Sequence, residues 1–335
     1  MSSAASGPDA VPLAGTSPAV WSTPLRTRFR GLTVRDGVLL RGEAGWGEFS
    51  PFWDYDDAES LAWYRCAREA ADLGWPDPVR SSVPVNVTVP AVGPERAHEI
   101  VLASGGCRTA KVKVAEHGQS VADEIARLES VRDALGPMGR IRIDANGAWD
   151  VDTAVARLRL LDRAAGGLEY VEQPCATVPE LAATRRAIGV PVAADESIRR
   201  AEDPLAVVRA DAADVVVLKV QPLGGVRACL RLAEQVGVPV VVSSALESSI
   251  GVAAGLALAA ALPELPYACG LATVQLFARD VVDRPLVPLD GAIEVRPVAP
   301  DPVLLAQAQA DPEVRERWLR RLADVASLAG AGEGR

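Results

Sequence analysis

From residue 83 to 270 the chain alternates short β-branched runs with helical stretches of ten to fifteen residues, the order that parallel strands with crossover helices require. The strand candidates are 83–89, 109–114, 140–144, 168–171, 192–194, 214–220, 239–242 and 267–270. Between them, Val121, Ile125, Leu128 and Val131 recur at helical spacing until Gly136-Pro137 stops the helix, and 152–161 and 226–236 behave similarly. Eight strands with crossovers fit an α/β fold of the TIM type, a (β/α)7β barrel, better than an open doubly wound sheet. Whether the ring closes is not written in the pattern.

Before residue 83 the pattern changes. Residues 21–49 read as antiparallel strands with turns at Asp36-Gly37 and 43–45, and 58–72 reads as a helix. After Gly270 come a short β-like stretch at 292–295 and a polar helix at 313–328. The expected organisation is an α+β capping domain from 21–82, to which 280–328 returns, a barrel over 83–279, and disordered tails at 1–20 and 329–335.

The 335 residues suffice for one barrel and a smaller attached module. Net charge is −9 without any basic cluster, which argues against nucleic acid and anionic membrane surfaces as partners. The five cysteines are scattered and form no C-x-x-C pair, so neither a disulfide framework nor a zinc site is indicated. The first twenty residues lack the charged start and apolar run of a secretory signal, and the apolar stretch 250–262 is too short to span a bilayer. A cytoplasmic protein, monomer or homo-oligomer, with a small-molecule partner is expected.

Of 35 basic residues only Lys111, Lys113 and Lys219 are lysines; every other is arginine. Arginine stays protonated in a protein, whereas a lysine amine can lose its proton when its pKa is lowered. Lysine here is expected where arginine does not serve.

All three fall at strand ends, where barrels of this kind place functional groups. In Lys111-Val112-Lys113 alternation points both amines to one face. The next three strands end in Asp144, Glu172 and Asp195, and the sixth in Lys219. The intervals from 144 to 172, 195 and 219 are 28, 23 and 24 residues, about one βα unit each. Adjacent strands lie about 4.8 Å apart, so the three acids can converge. Alone they would repel; a hard divalent cation such as Mg²⁺, or Mn²⁺ with its similar oxygen-rich sites, resolves this. Any single strand-end Asp also reads as an N-cap of the next helix. A metal and neighbouring ammonium groups favour a neutral amine, so one lysine can act as a base and the other cations stabilise an enediolate.

The ordered set K-V-K, D-A-N, V-E-Q-P, A-D-E-S and K-V-Q-P-L-G-G resembles the muconate-cycloisomerase-like branch of the enolase superfamily, over most of the chain from Trp21 to about Asp290. The resemblance implies Asp144, Glu172 and Asp195 as metal ligands, Lys113 and Lys219 as catalytic lysines, and Lys111 in electrostatic support. Its members of the mandelate-racemase type are set aside because the two histidines, His98 and His117, stand far from the seventh strand end. The acidic pair with which dipeptide epimerases hold a substrate amine is missing, since no acid follows Cys269 before Asp280.

The segments S-S-A-L-E-S-S-I-G (243–251), G-L-A-T (270–273), T-R-F-R-G (27–31) and G-W-G-E-F-S-P-F (45–52) resemble dehydratases of that branch, particularly their actinobacterial form. This implies loss of water from a succinyl-hydroxycyclohexadiene carboxylate to give a menaquinone precursor. Ser243, Ser244, Gly270 and Asn146 would bind substrate, the first three with hydroxyl and backbone N–H groups suited to a second carboxylate. Capping of the helix from 248 competes as the role of the serines. N-acylamino-acid racemisation is the nearest alternative chemistry, and a catalytically inactive barrel kept for binding the alternative of another class.

Overall fold

The computed structural model describes residues 17–333, with side chains described through residue 331; of the tail expected at 1–20, residues 1–16 lie outside it, as do the last two residues of the chain, while Ala19 and Val20 already belong to the first strand. Three antiparallel strands, β1 (Ala19–Phe29), β2 (Leu32–Arg41) and β3 (Trp46–Phe49), form the first sheet in that order. The chain reverses at Arg30-Gly31, whose φ angles of 51° and 77° are the left-handed pair of a type I′ turn. The turn expected at Asp36-Gly37 is absent, because both residues lie within β2, opposite Ser22 and Trp21. Gly37 serves close approach instead: a Cβ there would stand 2.6 Å from that of Ser50. Helix α1 (Asp57–Arg68) starts at a reciprocal Asp56/Glu59 capping box and runs on through a π-helical turn to Leu73.

The first barrel strand is split into β4 (Ser82–Pro84) and β5 (Val87–Val89). Strands and helices then alternate: α2 (Pro94–Leu102), β6 (Thr109–Lys113), α3 (Val121–Leu135), β7 (Arg140–Asp144), α4 (Val151–Ala165), β8 (Leu168–Glu172), α5 (Val178–Ala187) and β9 (Val192–Ala194). Two one-turn helices, α6 (Glu196–Arg199) and α7 (Ala206–Arg209), replace a full crossover before β10 (Val215–Lys219). There follow α8 (Val226–Val236), β11 (Val240–Ser243) and α9 (Ser249–Ala261). Strands β5 to β11 form one parallel sheet in sequence order.

The eighth expected strand is reduced to Cys269 and Gly270, which bridge the two edges of the sheet. Cys269 donates to Pro84 O and accepts from Asn86 N, while Gly270 donates to Val242 O and accepts from Ser244 N, at 2.8–3.1 Å. Those bonds close the ring. Glycine is required at 270, where a Cβ would lie 2.5 Å from Ser243 Oγ.

Alternation along the strands sorts the two faces. Val112, Ile141, Ile143, Val171, Val192, Val216, Leu218 and Val242 face outward into the layer beneath the helices. Tyr170, Ala193, Val215, Val217 and Val241 fill the interior. There Arg142 is buried against the Tyr170 and Tyr267 rings and bonded to Glu169, Asn86 Oδ1 and Ala268 O. The same inward parity, carried to the strand ends, supplies the side chains of the mouth.

After the ring, β12 (Ala292–Glu294) pairs antiparallel with β4, at the foot of the barrel rather than in the cap, to which 292–295 was expected to return. Helices α10 (Pro302–Gln307) and α11 (Pro312–Glu333) then return to the first sheet. α11 packs on α1, and Trp318 donates to Asp36 Oδ1 and meets Phe49 edge-on. It continues through Glu333, so the segment 329–333, expected to be disordered, is helical. Trp21, Phe49, Phe52, Tyr55, Trp63 and Trp318 share one core with Ala245, Leu246 and Ile250 of the barrel. Helix α9 is apolar all round because it is covered on every side. Among the described residues no helix is long and apolar enough to cross a membrane.

Candidate active site at the barrel mouth

Strand register brings the chemistry together. Lys113 lies opposite Asp144, Asp144 opposite Glu172, and Lys219 opposite Ser243. Asp195 follows β9 directly, and its backbone N–H donates to Gln173 Oε1 at 2.9 Å. Gln173 and Asn146, each just past an acid, take φ angles of 41° and 48°, which turn the chain away as the strand ends.

Asp144, Glu172 and Asp195 are at most 1% exposed, and each meets a lysine. Lys111 Nζ lies 2.8 and 3.0 Å from the two Glu172 oxygens and 3.5 Å from Asp144 Oδ2. Lys113 Nζ lies 2.5 Å from Asp144 Oδ2 and 2.7 Å from Asn146 Oδ1. Lys219 Nζ lies 2.5 Å from Asp195 Oδ2, whose other oxygen accepts from Arg199 Nε at 3.0 Å.

Burial and charge pull these groups in different directions. Burial, then Asp144 and Asp195, push Glu172 up to about 7, with Lys111 working the other way. Burial also opposes ionisation of Asp144 and Asp195, but Lys113 and Lys111 on the first, and Arg199 and Lys219 on the second, hold both below the ordinary carboxylate range. Lys111 is raised, because Glu172 and Asp144 outweigh its burial. Lys219 is lowered by burial, with Arg199 and Lys111 adding to the effect against Asp195.

Three buried carboxylates that destabilise one another's charge are a donor set suited to a hard divalent cation. Among the described residues, no group of three His, Cys, Asp or Glu side chains is already drawn together as a ready-made metal cage. Each acid is instead turned to an ammonium group.

A narrow cleft opens over this floor. Lys111, Lys113, Asp144 and Lys219 line one part, and Ser243, Ser244, Ala245, Leu246, Gly270 and Thr273 another. The expected substrate groups need two corrections. The Gly270 and Ser244 N–H groups are used in ring closure, so hydroxyls and not amides face the cleft there. Ser244 Oγ shares a hydrogen bond of 2.6 Å with Thr273 Oγ1. Asn146 stands against Lys113 and Glu196 rather than in the cleft lining.

Sequence reasoning missed several participants. Phe29 and Arg30, at the β1–β2 turn, reach over the mouth, with Lys113 Nζ 5.5 Å from the Phe29 ring centroid. The segment 27–31 signalled this by its motif but not which side chains reach in. Arg199 ties Asp195 to Tyr55 Oη and Glu196. Its position four residues after Asp195, on the same helical face, was the available signal. Thr88, from the first strand, carried none.

Comparison with known proteins defines the class first. The family described as Enolase C-terminal domain-like matches residues 94–300, and Enolase N-terminal domain-like matches 20–71. Muconate lactonizing enzyme from Pseudomonas fluorescens superposes with a TM-score of 0.75 at 22% identity, over 88% of this chain and 98% of that one. The L-Ala-D/L-Glu epimerase from Bacillus subtilis does so with 0.71 at 22%, over 85% and 96%. These structures share the fold.

Similarity in sequence reaches further. The o-succinylbenzoate synthase of Thermobifida fusca is 67% identical over 303 residues, 90% of this chain and 94% of that protein. That of Mycolicibacterium smegmatis is 56% identical over 299 residues, 89% and 91%. The chain belongs to the o-succinylbenzoate synthases of the enolase superfamily. Enzymes of this superfamily depend on a divalent metal.

Proposed function

We propose that the protein converts 2-succinyl-6-hydroxy-2,4-cyclohexadiene-1-carboxylate to 2-succinylbenzoate by loss of water, a step toward menaquinone. The reading is carried by one observation: Lys113 and Lys219 line the same cleft over buried Asp144, in a chain 67% identical to a synthase of that name.

Asp144, Glu172 and Asp195 would hold the metal, Mg²⁺ or Mn²⁺, which supplies positive charge to the substrate carboxylate and so stabilises the enediolate. Lys113 takes the proton from the carbon bearing that carboxylate. The same ammonium then returns the proton to the departing hydroxyl, which leaves as water while the ring becomes aromatic. The proton that Lys113 takes up is thus the one it gives back, and the step consumes none. Lys219 stands as a cation against the enediolate and is held in place by Asp195. Lys111 keeps Glu172 oriented by its two-oxygen contact. The Ser243 and Ser244 hydroxyls receive the succinyl carboxylate.

N-acylamino-acid racemisation is the second reading, because two lysines on one cleft can serve both faces of an α-carbon. Supplying the cyclohexadiene substrate and an N-succinylamino acid in parallel with Mg²⁺ separates the two. Conversion of the diene supports the proposal; reaction of the amino acid alone overturns it.

A further inference from the structure

The loop after β11 forms one wall of the cleft through Ser244, Ala245 and Leu246. Leu246 sits at φ 66°, a left-handed conformation that an L side chain keeps only when its surroundings hold it there. Two buried side chains from the cap sheet meet this segment, Arg35 at Leu246 itself and Glu48 at the start of the helix that follows. Arg35, on β2, donates from Nε to Leu246 O at 2.9 Å and from Nη2 to Ser50 O. Its guanidinium stands 4.4 Å from the Phe52 ring centroid. Glu48, on β3, accepts from Ser50 Oγ at 2.7 Å, from Ser248 Oγ, and from the Ser248 and Gly251 N–H groups at 3.4 and 3.2 Å.

Ser248 is the N-cap of α9, so the Glu48 carboxylate meets the positive end of a 13-residue helix as well as three of its donors. Inside the loop, Glu247 folds back to accept from Ala245 N at 2.7 Å. Arg35 and Glu48 are each 2% exposed, and neither lines the cleft. Burying two ionisable groups often costs more than packing an apolar pair of the same volume. Their arrangement therefore calls for a role in orientation, and the loop they grip is a wall of the pocket.

We propose that Arg35 and Glu48 are positioning residues: Arg35 holds Leu246 in its left-handed turn and Glu48 fixes the helix start just after it, and together they place Ser244 and Leu246 for the succinyl arm, so that seating the cap and shaping the pocket are one event. The identity of that arm rests on the functional reading above; the grip on the loop does not.

Glu48→Gln tests it, because the amide sets N–H against the donors of Ser248 and Gly251 while keeping the volume. The expected result is a KM for the cyclohexadiene substrate raised about tenfold with kcat held within about threefold. Hydrogen exchange at the Ser248 and Gly251 amides is expected to quicken about tenfold or more. A merely structural role would lower the active fraction, and with it kcat, at unchanged KM. Arg35→Lys, which keeps charge but loses the bond to Leu246 O, is expected to give the same split. Ser248→Ala combined with Glu48→Gln should raise KM by less than the product of the single effects. Where Glu48→Gln does not fold, Arg35→Lys and Ser248→Ala carry the same comparison. Unchanged KM or unchanged exchange in the folded variants overturns the proposal. Should the wild-type protein turn over neither substrate, the functional reading falls, and the exchange comparison alone decides whether the grip exists.

Discussion

Lys113 Nζ lies 2.5 Å from Asp144 Oδ2, its register partner on the neighbouring strand. The amine assigned to move the proton and a carboxylate assigned to the metal are thus held together by the pairing of two barrel strands. Their contact needs no loop, and register alone sets it.

Replacing Lys113 by Arg keeps that ion pair and removes a side chain able to give up its proton. Turnover is expected to fall about 10²- to 10⁴-fold, the range for loss of a general base. Metal affinity, followed by calorimetric titration with Mg²⁺, should change little. Activity near the wild-type value would take Lys113 out of the mechanism.

Arg199 holds Asp195 Oδ1 and reaches Tyr55 of the cap, so it orients an acid assigned to the metal without entering the cleft. Arg199→Lys keeps a cation but loses the fork. We expect metal affinity to weaken about 10- to 100-fold, as when an outer-shell partner of a ligand is changed. A titration indistinguishable from wild type would make the contact dispensable.

Much of this site was legible because period-two alternation and one βα unit per interval fix where strand ends fall. Lys111, Lys113, Asp144, Glu172, Asp195 and Lys219 all appear on the inward face that the spacing indicates. The cap was harder. Asp36-Gly37 has the composition of a hairpin turn, yet the reversal occurs at Arg30-Gly31, because Gly37 answers to the close approach of Ser50 across the sheet. That is a tertiary demand with no local signal. The eighth strand misled in another way: 267–270 has strand composition, but only Cys269 and Gly270 reach the ring. The same closure occupies the Gly270 N–H that looked free for substrate.

Stability should carry the signature of Glu48 and Glu247. Burial pushes each up to about 7, Glu247 with Glu48 as a like-charged neighbour, and Arg35 opposes both shifts. A raised folded pKa means the native state keeps protons that the unfolded chain has already lost. Stability from these groups therefore falls as pH rises from about 4.5 to about 7, and levels off above. Asp144 and Asp195 act oppositely and at lower pH, since their depressed values add stability that is lost only on acidification. Denaturant unfolding of wild type and Glu48→Gln between pH 5 and 8 isolates the effect, because the variant cannot ionise at 48. The stability difference should move in favour of the variant as pH rises through that window. A difference independent of pH would contradict the assignment.

The most direct test of the whole account is conversion of the cyclohexadiene substrate with added Mg²⁺, after a chelator, and after Mg²⁺ is restored. The account predicts 2-succinylbenzoate formed in step with loss of the diene, abolished by the chelator and recovered with the metal. Product formed at an undiminished rate in the chelator, or none with Mg²⁺ present, would contradict it.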